Sequence, residues 1–372
     1  MISIKQRPLI SGQTMEHALS TKPTVTTWIY GAGTFGRDVA AALNAQGKEL
    51  AGFIELHPRQ TNAWGYPVRA LADCCPRPQN EQVLVAVFNR LHPLSKIRQD
   101  LQDFGFNQVL MPWDYYGQLA SQLGWRYWLE DSQFLRQHQD QLENVLSKLA
   151  DPISRQCLTD VTAFRSGVNL PYASQRHALP QYFNELTLPF LPQVTHYVDG
   201  GAYDGDTYRH LANQTNIGQA WLFEPDTSNF ASLRQNLPDS SEASVHLLPL
   251  ALSQRHERLV FSDGEGEASC VSASGSVGIT AVALDDVVGT SPVNFIKLDV
   301  EGGERAALLG AKGTIERHAP ILALSAYHRP SDLWDLIDTI DHFGCGYRYW
   351  LRQHHFNSFD LVLYAIRSPG TC

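Results

Sequence analysis

The segment His196–Thr207, HYVDGGAYDGDT, restricts the architecture more than any other stretch of the chain. An apolar run, Tyr197 and Val198, stops at Asp199, glycines follow at Gly200, Gly201 and Gly205, and an amphipathic stretch begins at Tyr208. That order reads as strand, tight loop and helix. Glycines belong where a ligand must touch bare backbone or where the chain takes positive φ, and a helix N-terminus behind such a loop offers free N–H donors. The segment therefore predicts an α/β sheet with a nucleotide-like guest. A second copy of the pattern lies upstream: the strand VTTWIY, a GxGxxG match from Gly31 to Gly36, the helix RDVAAALNAQG, and the strand ELAGFIE ending at Glu55.

At 372 residues the chain is long enough for two domains with separate cores. Hydrophobic residues are 43% and charged residues 18%, as in a globular protein, and no apolar stretch approaches the roughly 20 residues of a membrane helix. The N-terminus has no apolar core of signal-peptide length, so the sequence predicts a cytoplasmic protein. Cys74, Cys75, Cys157, Cys270, Cys345 and Cys372 are scattered in a way that suggests neither a disulfide framework nor a metal pair. With 29 Lys and Arg against 38 Asp and Glu the net charge is −9, and no basic block could track a phosphate backbone, which argues against nucleic acid as a partner.

Further along, QVLVAVF and NQVLMPW are predicted strands with the helix IRQDLQDFG between them. From Tyr115 to Pro192 the pattern is helical, then broken by Pro152, Pro171, Pro180 and Pro189. In the second half, AWLFEPD is a strand ending at Glu224. It is followed by a helix with Phe230, Leu233 and Leu237 on one face and by the strand SVHLLPLALS. RLVFS, a glycine-rich loop near Gly264 to Gly278, ITAVALDDV and the strand VNFIKLD come next, then helix, strand PILALSAYH and helix. The closing pair YRYWLRQH and FDLVLYAI is joined by a short loop and must be antiparallel, because a parallel return needs a long crossover. A methyltransferase sheet ends this way, with its last strand running against the others.

Taken in order, YVDGGAYDGDT, LFEPD, ALS (Ala251 to Ser253), LDD, FIKLDVEGGE, LLGAK and SAYHRPSDLW resemble the FkbM family of S-adenosylmethionine-dependent methyltransferases, over about Thr195 to Arg367. FIKLDVEGGE is the most distinctive of these. The first domain more loosely resembles a nucleotide-binding domain that precedes such methyltransferases and certain sugar acyltransferases. The resemblance implies a fold of two Rossmann-like domains. The C-terminal one would be a class I methyltransferase fold, a mostly parallel seven-stranded sheet with an antiparallel last strand. The boundaries read as a leader over 1–24, a small Rossmann-like domain over 25–115, a helical connector over 116–192 and the methyltransferase domain over 193–372.

Roles follow the motifs. Gly201 and Gly205 would admit the amino-acid end of S-adenosylmethionine, Asp199 would face its ammonium group, and Asp206 and Thr207 would begin the next helix; a plain turn with an N-cap would use the same residues. Glu224, twenty-five residues after Asp199, would accept the ribose hydroxyls, with Pro225 and Asp226 shaping the rim. Leu250, Ala251 and Leu252 fall where an adenine needs apolar cover, or where a core needs packing. Lys297, Asp299 and Glu301 would share one strand face, and Lys297 is assigned to the cofactor site with an ion pair as the alternative. Methyl transfer is an in-line displacement in which an alcohol loses its proton, so Asp299, then Glu301, are the expected reaction-centre contacts and His328 a general-base candidate. Asp299, Glu301, Glu304 and His328 also have the donor types of a divalent-metal site, but spacing alone does not choose one and no metal is assigned. Arg352, His354 and His355 either contact a polar acceptor or form a solvated hairpin rim.

The expected activity is O-methyl transfer to a hydroxyl of a sugar, glycan or other polyhydroxylated metabolite. The partner is a small-molecule or glycan acceptor, and a homo-oligomer is left open. The alternative is a nucleotide-sugar or dinucleotide-binding enzyme or sensor working through Gly31, Gly33, Gly36 and Glu55.

Overall fold

The computed structural model describes residue 19 and residues 25–74, 81–131, 133–168, 177, 180–237, 244–261 and 277–367. The expected leader, except Leu19, lies outside these residues, as do Cys75, Cys270, Cys372 and most of the glycine-rich loop. The chain forms two compact units. One comprises residues 1–143, 156–177 and 355–359, and the other 144–155, 178–354 and 360–372.

The first unit holds β1 (Thr26–Tyr30), α1 (Thr34–Ala45), β2 (Leu50–Glu55), β3 (Asn62–Ala63), β4 (Tyr66–Ala70), β5 (Glu81–Val85), α2 (Leu94–Asp103), β6 (Gln108–Leu110), α3 (Pro112–Leu123) and α4 (Phe134–Gln137). The sheet order is β3-β4-β2-β1-β5-β6, parallel except for the β3–β4 hairpin. NQVLMPW, predicted as one strand, is split. Pro112 opens α3, where its fixed φ and missing N–H suit the first helical turn. Helices α5 (Gln139–Lys148) and α6 (Pro152–Arg165) follow.

The second unit is built from β7 (His196–Gly200), α7 (Asp206–Ala212), β8 (Gln219–Phe223), α8 (Thr227–Asn236), β9 (Ser244–Leu248), β10 (Ala251–Leu252), β11 (Glu257–Phe261), β12 (Val277–Val282) and α9 (Leu284–Val288). It continues with β13 (Phe295–Leu298), α10 (Glu304–Gly310), α11 (Lys312–His318), β14 (Ile321–Ser325), α12 (Asp332–Asp341), β15 (Tyr347–Gln353) and β16 (Leu361–Arg367). The main sheet runs β15-β16-β14-β13-β7-β8-β9, and its last strand, β16, is antiparallel to both neighbours. This is the mostly parallel seven-stranded sheet that the motif order and closing hairpin predicted. The stretch SVHLLPLALS divides at Pro249, which cannot donate to a ladder: β9 stays in the main sheet, and β10 joins β11 and β12 in a separate three-stranded one.

Central strands are buried on both faces and read as near-continuous apolar runs. In β13 all four residues are buried, and Lys297 is its one charged side chain. Tyr197, Leu222, Phe295 and Tyr364 share the core beneath the helices. The order reverses at β7, with β8 and β9 on one side and β13 and β14 on the other. The carboxyl ends of β7 and β13 therefore lie at the point of reversal, the ligand position of open α/β sheets.

Candidate active site

Lys297 stands directly opposite Asp199 in the β13–β7 register, and the two buried side chains form an ion pair at 2.9 Å. The Tyr197 hydroxyl donates to Asp199 Oδ2 at 3.0 Å. Lys297 Nζ also donates to the carbonyl of Gly201 at 2.5 Å and to that of Gly200 at 3.3 Å, so the pair braces the loop leaving β7. Burial works against the lysine's charge, but the carboxylates of Asp199 and Asp299 hold its pKa above the usual value. The ammonium contact expected of Asp199 is replaced by these bonds inside the sheet, and Lys297 takes the ion-pair alternative.

The two loop glycines are required by the chain itself. Gly201 has φ +75°, and a Cβ there would lie 1.9 Å from the Asp299 carbonyl oxygen. Gly205 has φ +84°, and its Cβ would sit 2.8 Å from Leu233 on α8. Asp206 and Thr207 form the first turn of α7, where Asp206 accepts the Thr207 N–H at 2.7 Å.

Glu224 follows β8 and is 6% exposed. Its Oε2 accepts the Tyr203 N–H and its Oε1 the Asp226 N–H, both at 2.9 Å, which ties the loop after β7 to the loop after β8. Burial pushes its pKa up to about 7 against these two bonds. Asp226 caps α8, accepting the Ser228 and Asn229 N–H groups at 2.9 Å, so its carboxylate serves the helix, while Pro225 is partly exposed beside it. Ala251 is half-buried and Leu252 buried in β10.

At the end of β13 four titratable side chains meet. His328, fully buried just beyond β14, places Nδ1 2.7 Å from Glu304 Oε1 and Nε2 3.4 Å from Asp299 Oδ1 and 3.5 Å from Glu301 Oε2. Burial would lower the histidine pKa, but Glu304 and Glu301 raise it well above the ordinary value. The ring is thus held between carboxylates at both nitrogens, which favours its protonated form. Burial alone would raise the Asp299 carboxyl, yet Lys297 and His328 hold it below the usual carboxylate range. The strand alternation predicted for Lys297, Asp299 and Glu301 stops short, because β13 ends at Leu298 and Glu301 has φ +51° in a turn. A non-glycine residue held there is strained, as functional loops often are.

Tyr182, which sequence reasoning missed, donates its hydroxyl to Asp299 Oδ2 at 3.0 Å. It comes from the Pro-broken tract, which carries no periodic signal. Arg352 does not join the site: its guanidinium pairs with Asp151 at 2.8 Å and Glu185 at 3.3 Å. His354 Nε2 lies 2.9 Å from the Tyr364 hydroxyl, and His355 belongs to the first unit.

In the first unit, Gly31 has φ +106°, and a Cβ on Gly36 would lie 2.0 Å from the Gly31 carbonyl oxygen. Glu55 Oε1 accepts the Ala32 N–H at 3.2 Å and the Trp64 indole donates to the Ala32 carbonyl at 2.8 Å, so the chain's own groups close this loop. A Cβ on Gly33 meets open space.

Residues 199–349, which run from the end of β7 into β15 and include the acid–histidine cluster, match the family model of the methyltransferase FkbM domain. That stretch lies within the second unit. No curated protein is similar enough in sequence to match the chain. The crystal structure of methyltransferase FkbM from Methylobacillus flagellatus KT is similar at 22% identity and a TM-score of 0.69, over 92% of this chain and 90% of that one, a likeness of fold. An rRNA methylase from Streptococcus thermophilus aligns over 51% of this chain and 99% of its own, at 14% identity and a TM-score of 0.33, which carries no argument. The matched stretch begins at Asp199 and includes Glu224, Asp299 and His328. Among the described residues no helix is long and apolar enough to cross a membrane.

Proposed function

We propose that the FkbM domain transfers a methyl group from S-adenosylmethionine to a hydroxyl of a sugar, glycan or other polyhydroxylated acceptor. The observation that carries the reading is the pairing of a buried, oriented carboxylate at the end of β8 with an acid–histidine cluster at the end of β13, on the two sides of the strand where the order reverses. The residues fit the cofactor at Glu224. Each of its oxygens receives one backbone N–H and keeps a second lone pair, the acceptor pattern that two ribose hydroxyls require. When bound, S-adenosylmethionine supplies a methyl group on a sulfonium, open to in-line attack.

The chain's residues supply the rest. Asp299, ionised at neutral pH and fixed at one oxygen by Tyr182, orients the acceptor hydroxyl. Glu301, beside it on the strained turn, takes the proton that the hydroxyl releases as its oxygen bonds to the methyl. The polyhydroxylated acceptor rests on the family resemblance, which is analogy rather than site chemistry. Incubating the full chain with labelled S-adenosylmethionine and a panel of sugars, glycolipids and cell extracts tests it. The reading expects label in a hydroxyl-bearing acceptor, and label confined to nitrogen or carbon acceptors would overturn the O-methyl assignment.

A further inference from the structure

The cluster at the end of β13 has more negative charge than its own cations balance. Asp199, Asp299, Glu301 and Glu304 supply four carboxylates against Lys297 and His328, and none of the six side chains is more than 25% exposed. Uncompensated charge at such burial is costly. Among the described residues, two buried carboxylate oxygens there, Asp299 Oδ1 and Glu304 Oε2, have no hydrogen bond of ordinary geometry, although the Ser325 hydroxyl helps to hold the Asp299 carboxylate ionised.

The distances describe a coordination shell better than a set of ion pairs. Nε2 of His328 lies 3.4 Å from Asp299 Oδ1 and 3.5 Å from Glu301 Oε2. Hydrogen bonds between such charged groups are shorter, whereas two ligands of one cation at about 2.1 Å stand ~3.0–3.5 Å apart. Donor atoms of Asp299, Glu304 and His328 all fall within 4.8 Å of one another. On the far side of the ring, Glu304 Oε1 takes Nδ1 at 2.7 Å, which is how a carboxylate outside the coordination shell fixes a metal-binding histidine.

We infer that a divalent first-row transition-metal ion binds at the end of β13 through Nε2 of His328 and the carboxylates of Asp299 and Glu301, with Glu304 holding the imidazole. The nitrogen donor favours Mn2+ or Zn2+ over Ca2+ and Mg2+, which prefer oxygen. The ion's use rests on the methyltransferase reading, in which it would lower the pKa of a bound acceptor hydroxyl; its binding does not.

The test is a Mn2+ titration of the chelator-treated full chain, followed by electron paramagnetic resonance, without cofactor or acceptor. One saturable Mn2+ per chain with imidazole nitrogen coupling is expected. Asp299→Asn and Glu301→Gln should each weaken it at least tenfold, and Glu304→Gln should weaken it by about 10–100-fold. Absence of saturable binding or of nitrogen coupling in the wild type, or undiminished binding by both Asp299→Asn and Glu301→Gln, overturns the inference. Calorimetry with S-adenosylhomocysteine on the metal-free protein separates the two readings. If that ligand binds and Mn2+ does not, only the cation site falls; if Mn2+ binds and the ligand does not, the site stands and the cofactor reading falls.

Discussion

His328 Nδ1 and Glu304 Oε1 lie 2.7 Å apart where neither side chain reaches solvent. Glu304 Oε1 also accepts the Val300 N–H at 2.8 Å, so one carboxylate fixes both the ring and the turn that presents Asp299 and Glu301. Removing one partner of a buried pair typically costs about 3–5 kcal/mol. Glu304→Ala is therefore expected to lower the thermal midpoint clearly, by more than Glu304→Gln, which keeps an acceptor for Val300. Equal melting of Glu304→Ala and wild type by circular dichroism would contradict this.

Asp199 and Lys297 make a separable prediction. Lys297→Met leaves Asp199 buried without its cation and should cost about 3–5 kcal/mol, while adding Asp199→Asn should restore much of the loss. Denaturant unfolding of the two single variants and the double variant measures the coupling. Additive effects would show that the cross-strand pair contributes nothing beyond its members.

Glu224 sets a pH dependence. Its folded pKa, about 7, lies above the ordinary 4.5. Its contribution to stability is fully present below about 4.5 and is lost as pH rises through 7. Ribose hydroxyls need the ionised form, so ligand binding follows the opposite course. Affinity for S-adenosylhomocysteine should fall by up to about tenfold per pH unit below 7 and level off above it. Calorimetry from acidic to mildly alkaline pH reads this, and Glu224→Gln should flatten the profile.

Asp299→Asn is expected to lower the methyl-transfer rate by about 10²–10⁴-fold, the range for a positioned acid or base, while S-adenosylhomocysteine binding stays close to wild type. Loss of binding and rate together would place Asp299 in the cofactor site instead.

Much of the second unit was legible because its signals are local. The buried strands β7 and β13 read as apolar runs, and the short loop before β16 fixed its direction. The short hairpin β3–β4 left no run long enough to register, and the proline punctuation at Pro112 and Pro249 divided stretches that hydropathy alone joins. Within the site, spacing brought Asp299, Glu301 and His328 to the same sheet edge. It could not reveal that Asp199 is spent on Lys297 or that Tyr182 reaches Asp299, since both depend on contacts between distant segments. Nor could it show that Glu304 braces the His328 ring, which follows from their separation in space.

The most direct test is calorimetric titration of the full chain with S-adenosylhomocysteine at pH 8, for wild type and Glu224→Ala. The account predicts one site per chain in the wild type. Loss of two charge-assisted hydrogen bonds, about 1.5–3 kcal/mol each, should weaken it at least tenfold in the variant. No binding by the wild type, or undiminished binding by Glu224→Ala, would contradict it.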